Sequence, residues 1–260
     1  MIEKSISKHM RTVYSKAYPF PHIVIDNFLP ETIASEIHKE LTKNDVWYSD
    51  NNEWVHEYQV NKFFLPSGKE GEVEEIYSAI PKTSLIIDYL NSKEFIVFLE
   101  ELTGISDLQS DAQYMHGGGI HKINTGGQLA VHLDYNVHPI TKKYRKLNLL
   151  LYLNPNWKPE WGGNLELWTK NDSQPATSIE PFFNRCVIFT ISPTSFHGHP
   201  EPMTCPEGVS RYSIALYYFS EEQPDIEHPV VFMKGELKGI DLEEFSHDII
   251  FGTSEFGTRH

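Results

Sequence analysis

Along the first third of the chain, apolar residues recur at helical spacing. Ile33, Ile37 and Leu41 form one stripe of a helix running from Glu31 to Leu41, with Pro30 at its opening. A second helical stretch covers about Thr83 to Leu102, with a break near Asn91-Ser92. There Phe95, Phe98, Leu99 and Leu102 share a face, and Gly104 is placed to cap the C-terminus. Ahead of both, Pro21-His22-Ile23-Val24-Ile25-Asp26 reads as a short β-branched strand. Between the helices, residues 45–68 carry Trp47, Tyr48, Trp54, Tyr58, Phe63 and Phe64. Two readings stand for that stretch: a lid or peptide groove over a site, or packing of the helical layer against the rest.

From about Gln113 the period changes to short strands separated by turn residues. Candidates are Ile120–Asn124, Gln128–Asp134, Leu147–Leu153, Asn164–Thr169, Thr177–Ile179, Cys186–Ile191 and Arg211–Phe219. Gly126-Gly127, Asn154-Pro155-Asn156, Gly162-Gly163 and Pro193 punctuate them. The expected fold class is mainly β (α+β), a sandwich or jelly roll with flanking N-terminal helices. The expected organisation is one compact unit: a strand and helix layer over 1–112, a β core over 113–220 and a C-terminal extension over 221–260. The apolar run Val230-Val231-Phe232 suggests that the extension wraps the core.

Composition narrows the function classes. At 260 residues, 40% hydrophobic and 13% aromatic, the chain can bury a substantial core. The net charge of -14 argues against nucleic acid, which calls for clustered Lys and Arg. No apolar run reaches the length of a membrane span, so no membrane partner is expected. Met1-Ile2-Glu3-Lys4-Ser5 lacks the layout of a signal peptide, and only Cys186 and Cys205 are available for disulfides. A reducing, cytoplasmic setting is the expectation.

Candidate chemistry begins at His132-Leu133-Asp134. On a strand, residues two apart point to one face, so His132 and Asp134 can bind one ion together. His38-Lys39-Glu40 has the same spacing but lies in a helix, where its side chains diverge by about 200°; that pair is rejected. The apolar strand Cys186–Ile191 leads into Ser195-Phe196-His197-Gly198-His199-Pro200. His197 is the favoured third ligand and His199 its rival. His199 precedes Pro200, which restricts it to extended backbone, and its plainest reading is an exposed loop side chain. Two imidazoles and one carboxylate leave an iron coordination sphere partly open.

Alternation puts Arg211 and Ser213 on one face of their strand, against Tyr212, Ile214 and Leu216. It likewise groups Asn148, Leu150 and Tyr152 against Leu149, Leu151 and Leu153. Polar groups on an inner face describe a wet lumen. A guanidinium beside a hydroxyl there forms a fork for one carboxylate.

With those pieces assembled, the chain resembles the Fe(II)/2-oxoglutarate-dependent dioxygenases, in particular the prolyl 4-hydroxylase-type catalytic domain. The resemblance covers about Gln113 to Ser220. It is carried by Gly117-Gly118-Gly119-Ile120-His121, the run Gly126 to Asn136, Leu149 to Asn154, Trp161 to Leu167, Phe196 to Pro200, and Arg211 to Leu216, in that order. It implies a double-stranded β-helix, cupin-like, with His132, Asp134 and His197 as iron ligands. Arg211, assisted by Ser213 and Tyr152, would hold the distal carboxylate of 2-oxoglutarate. Relatives often carry a tyrosine on the strand before the His-x-Asp strand; here that strand reads His121-Lys122-Ile123, leaving the second donor open between His121 and Lys122.

The implied cofactors are Fe(II), 2-oxoglutarate as co-substrate and O2, with ascorbate as a candidate reductant. Asp134 stands where related halogenases have a small residue, so the implied reaction is hydroxylation of an unactivated C–H bond. The implied substrate is a prolyl residue in a protein or peptide, or an amino acid. The alternatives are a small-molecule hydroxylase of the same mechanism and a non-catalytic metal-binding or sensory cupin-like barrel. Asn136 and His138 are read either as substrate contacts or as loop hydrogen bonders.

Overall fold

The computed structural model describes residues 7–44, 47–49, 59–65, 72–170, 173–234 and 241–244. Its helices are α1 (Lys8–Lys16), α2 (Glu31–Lys43), α3 (Glu72–Ala79), α4 (Pro81–Leu90) and α5 (Lys93–Thr103). Its strands are β1 (His22–Ile25), β2 (Tyr48–Ser49), β3 (Gln59–Leu65), β4 (Gln109–Ser110), β5 (Gly119–Leu133), β6 (Tyr144–Tyr152) and β7 (Leu165–Trp168). They continue with β8 (Thr177–Ile179), β9 (Arg185–Thr190), β10 (Phe196–His199), β11 (Ser210–Ser220), β12 (Val231–Lys234) and β13 (Asp241–Glu244).

The helix break at Asn91-Ser92 is a capping event. The Ser92 hydroxyl accepts from the Phe95 N–H at 3.3 Å and starts α5. Gly104 ends it at φ 77°, donating its N–H to the Glu100 carbonyl at 2.8 Å. The start of α4 is capped from α2, whose Glu40 carboxylate accepts from the N–H groups of Lys82 and Thr83 at 3.0 and 2.7 Å. His38, on the same helix, has its Nδ1 against the Leu153 carbonyl at 2.8 Å. The helical His-x-Glu pair therefore does structural work, as its spacing predicts.

The strands form an antiparallel sheet whose main path runs β1-β9-β6-β11-β5-β10-β7-β8 and curls into a double-stranded β-helix. Leu147, Leu149 and Leu151 of β6, with Ile214 and Leu216 of β11, bury against Ile37, Leu41, Ile87 and Leu99 of the helices. Each such side chain contributes about 1.5–3 kcal/mol. The opposite face turns Tyr152, Val187 and Phe189 toward Leu165 and Leu167 across the barrel.

Three sequence expectations change. Ile120–Asn124 and Gln128–Asp134 are one strand, β5, and Gly126-Gly127 bends it instead of ending it. Gly126 sits at φ 73°, and a Cβ at Gly127 would meet Ile123 Cγ2 at 2.4 Å and the Asn124 carbonyl at 2.7 Å. Along one edge, β5 pairs first with β11 and then, past the bend, with β10. His197 lies within β10, a strand of the barrel, not in a loop beyond a strand. Val230-Val231-Phe232 does more than wrap: β12 extends the sheet, with Phe232 opposite His132.

Of the aromatic stretch, Trp54 and Tyr58 lie outside the described residues. Trp47 packs its ring 5.8 Å from that of Tyr212, on the helix side of the sheet. Among the described residues, no helix is long and apolar enough to cross a membrane.

Candidate active site

Antiparallel register brings the first two candidate ligands together. His197 on β10 lies directly opposite His132 on β5, their ring centroids 4.4 Å apart. Asp134 follows immediately after β5. One donor atom from each of the three lies within 4.8 Å of the others. Asp134 Oδ1 is 3.6 Å from His132 Nε2, and Oδ2 is 3.4 Å from His197 Nε2.

Each imidazole is oriented by its own strand. His132 Nδ1 lies 2.9 Å from the Ala130 carbonyl, and His197 Nδ1 lies 3.0 Å from the Ser195 carbonyl. A carbonyl only accepts, so Nδ1 carries the proton and Nε2 presents a lone pair to the centre of the cluster. Burial, then His132, lowers the His197 pKa to about 4, with Asp134 opposing. The ring is therefore neutral, the state in which it can ligate.

Asp134 is held by two residues that the sequence did not flag as site residues. Asn148 donates to Oδ2 at 2.8 Å, and the Arg145 guanidinium approaches the same oxygen at 3.0 Å. Arg145 Nε in turn donates to Asn148 Oδ1 at 2.8 Å. Burial alone would push the Asp134 carboxyl up. Arg145 foremost, with His197 and His132, outweighs that and holds it well below the usual carboxylate range. Oδ1 faces His132, while Oδ2, which takes both Asn148 and Arg145, also lies on the His197 side.

Strict alternation puts Arg145 on the helix side with Leu147. A bulge intervenes: Tyr218 pairs with Leu147, but Phe219 pairs with Arg145. The extra residue turns Arg145 inward, where its guanidinium lies 3.4 Å from the Tyr217 ring centroid. No sequence signal announces that bulge. Asn148 was legible as a lumen residue, but its partner was not.

The carboxylate fork lies along the other half of β5. Ser213 pairs with His121 on one side and Tyr152 on the other, while Arg211 pairs with Ile123. These side chains therefore share the lumen face. Arg211 is 5% exposed. Its Nε donates to the Gly163 carbonyl at 2.8 Å and its Nη2 to the Tyr152 hydroxyl at 3.3 Å. Among the described residues, no carboxylate pairs with it. Burial lowers its pKa, with Tyr152 opposing. The Tyr152 hydroxyl accepts from Arg211, so its own proton is free to donate. Burial raises its pKa and keeps it protonated.

Of the two candidates for the second donor, His121 faces this lumen. Lys122 points away, its ammonium 5.3 Å from the Trp47 ring centroid. His199 is not the exposed loop residue that its position before Pro200 suggests: it is 4% exposed, on β10. Asn136 and His138 are loop hydrogen bonders. Asn136 accepts from the His228 N–H and donates to the Ile226 carbonyl, both at 2.8 Å. His138 accepts from the N–H groups of Ile140 and Thr141 and faces Asp111 at 3.2 Å.

The arrangement offers two imidazole nitrogens and one carboxylate oxygen at one end of the lumen. That donor set suits a divalent iron with positions left open. At the other end, an uncompensated buried guanidinium suits a ligand carboxylate.

Comparison with known proteins gives a consistent picture. Residues 118–219 match the model of the 2OG-Fe(II) oxygenase superfamily. A curated relative, prolyl 3-hydroxylase OGFOD1 of Mus musculus, is 26% identical over 238 residues, covering 90% of this chain and 38% of that protein. The chain thus spans well under half the length of that relative. Among solved structures, a prolyl hydroxylase from Trichoplax adhaerens, in complex with a hypoxia inducible factor peptide fragment, superposes with a TM-score of 0.51. It is 20% identical, with 82% of this chain and 88% of that one covered. HygX from Streptomyces hygroscopicus, with nickel, 2-oxoglutarate and hygromycin B bound, gives a TM-score of 0.55 at 9% identity, covering 95% of this chain and 100% of that one. Both likenesses concern the fold.

Proposed function

From the premise that the chain belongs to the 2OG-Fe(II) oxygenase superfamily through residues 118–219, we propose that it is an Fe(II)- and 2-oxoglutarate-dependent hydroxylase of the prolyl-hydroxylase type. Its substrate on this reading is a prolyl residue in a protein or peptide. The observation that carries the reading is a pairing in one lumen. The His132, Asp134 and His197 cluster stands at one end, and Arg211, buried with no protein carboxylate beside it among the described residues, stands at the other. The mouse relative, which is named a prolyl 3-hydroxylase, supports the substrate class.

In this mechanism His132 and His197 hold the metal through Nε2, their tautomers set by the Ala130 and Ser195 carbonyls. Asp134 contributes Oδ1, while Asn148 and Arg145 keep Oδ2 occupied. Arg211 binds the distal carboxylate of the co-substrate, with Tyr152 and Ser213 as hydroxyl donors beside it. Bound Fe(II) supplies oxygen activation, coupling oxidative decarboxylation of 2-oxoglutarate to hydroxylation of a C–H bond. The apolar walls Phe189, Leu167 and Phe232 exclude water from the reaction.

The test is an anaerobic titration of the apoprotein with Fe(II) and then 2-oxoglutarate. A visible charge-transfer band is expected, weakened strongly in Arg211→Ala, followed by succinate release with prolyl peptides. Folded, iron-loaded protein that gives no band would overturn the reading. A band and succinate without any peptide hydroxylation would move the substrate to a small molecule.

A further inference from the structure

Two residues past His197, β10 carries a second buried imidazole that none of the roles above uses. The register between the two shifts: His197 lies opposite His132, but His199 lies opposite Leu129. Between them, Gly198 presses bare backbone against β5. A Cβ there would meet the carbonyls of Ala130 and Leu129 at 2.8 and 2.9 Å. That close crossing fixes His199 inside the barrel at 4% exposure. Among the described residues, neither of its ring nitrogens has a hydrogen-bond partner. The charged and titratable groups that bear on it are Arg211 first, then Lys62 on β3 and His132.

A buried polar group with no partner is destabilising, because it has given up water without a replacement. His199 bears that penalty at both nitrogens, two residues along β10 from His197. A neutral imidazole offers one N–H donor. The positive charges of Arg211 and Lys62 disfavour a second cation there and favour an anion. Resting on the hydroxylase reading above, we propose that His199 is a co-substrate-binding residue, donating its ring N–H to a carboxylate of 2-oxoglutarate in the stretch of lumen between Arg211 and the His132, Asp134 and His197 cluster. On this view the orphaned nitrogen acquires its partner when the co-substrate arrives.

The test uses the full chain loaded with Zn(II) for calorimetry, and with Fe(II) under anaerobic conditions for the visible band. In His199→Leu, which keeps the bulk and removes the donor, 2-oxoglutarate should bind about tenfold more weakly. Metal uptake should be unchanged, and the thermal midpoint of the metal-free protein should be level or raised, because an orphaned polar group has been removed. His199→Gln, which restores a donor, should recover most of the affinity. A purely structural histidine would instead lower the midpoint in both variants. Binding by His199→Leu within about twofold of wild type overturns the proposal, and so does loss of metal in that variant, which would make His199 a ligand. Wild-type protein that takes up iron but shows no 2-oxoglutarate binding overturns both readings. Wild-type binding that Arg211→Ala weakens and His199→Leu does not overturns this one alone.

Discussion

Arg145 and Asp134 form a buried ion pair, Nη2 to Oδ2 at 3.0 Å, with side chains 1% and 12% exposed. The approach is close but off-line, since among the described residues Nη2 makes no hydrogen bond of good geometry. Its role is electrostatic: the carboxylate is ionised and compensated before any metal binds. Asn148 supplies the aligned donor. Both act on Oδ2 and leave Oδ1 toward His132.

Removing Arg145 leaves that carboxylate buried and unpaired. Arg145→Leu should destabilise the metal-free protein by about 3–5 kcal/mol in urea. Loading with Zn(II) supplies positive charge at the same carboxylate, so the loss should shrink in the loaded protein. Equal losses in both forms would show that Arg145 acts through packing on Tyr217 alone.

The two His-x-acid pairs make opposite predictions. His132→Ala, Asp134→Ala and His197→Ala should each abolish stoichiometric iron uptake, measured by metal analysis after dialysis. His38→Ala should retain it and lose about 1 kcal/mol of stability with its bond to Leu153.

The pH dependence has a definite sign. The folded His197 pKa, pushed down to about 4 by burial foremost, lies below its ordinary 6.5. Between those values the unfolded chain binds a proton that the native state does not. Metal-free protein should therefore lose stability as pH falls from about 6.5, by about 1.4 kcal/mol per pH unit for this one group. His121 and His199, both lowered by burial foremost, act in the same direction. His197→Leu should flatten the slope by one group's share in pH-resolved denaturation. A midpoint that rises on acidification would contradict the burial of these rings.

Gly163 positions the anchor. It sits at φ 71°, and a Cβ there would meet Met203 Sδ at 2.6 Å and Arg211 Cδ at 3.1 Å. Gly163→Ala should lower stability by about 1–3 kcal/mol and weaken 2-oxoglutarate binding by displacing Arg211. Unchanged affinity would mean that the guanidinium tolerates movement.

Much of this site could be read from period alone. Strand alternation placed Arg211 with Ser213 and Asn148 with Tyr152, because β11 and most of β6 are regular and packed on one face by helices. It separated His132 and Asp134 from His38 and Glu40. It failed wherever the ladder itself is irregular. The bulge that turns Arg145 inward, the shift between His197 and His199, and the bend at Gly126-Gly127 depend on which strand lies alongside, and that is a property of the folded sheet.

The bend in β5 has one more consequence. The residues opposite Arg211 and Ser213 lie before it, and His132 lies after it. On β3, the single residue Asn61 spans the gap that Asn124 to Gly127 fill on β5, since Val60 pairs with Gln128 and Lys62 with Ile123. The two halves of β5 thus hold separate registers to β3 on one edge and pair with different strands, β11 and β10, on the other. Length changes at those four residues are absorbed locally, so the distance from the His132, Asp134 and His197 cluster to Arg211 has its own point of adjustment.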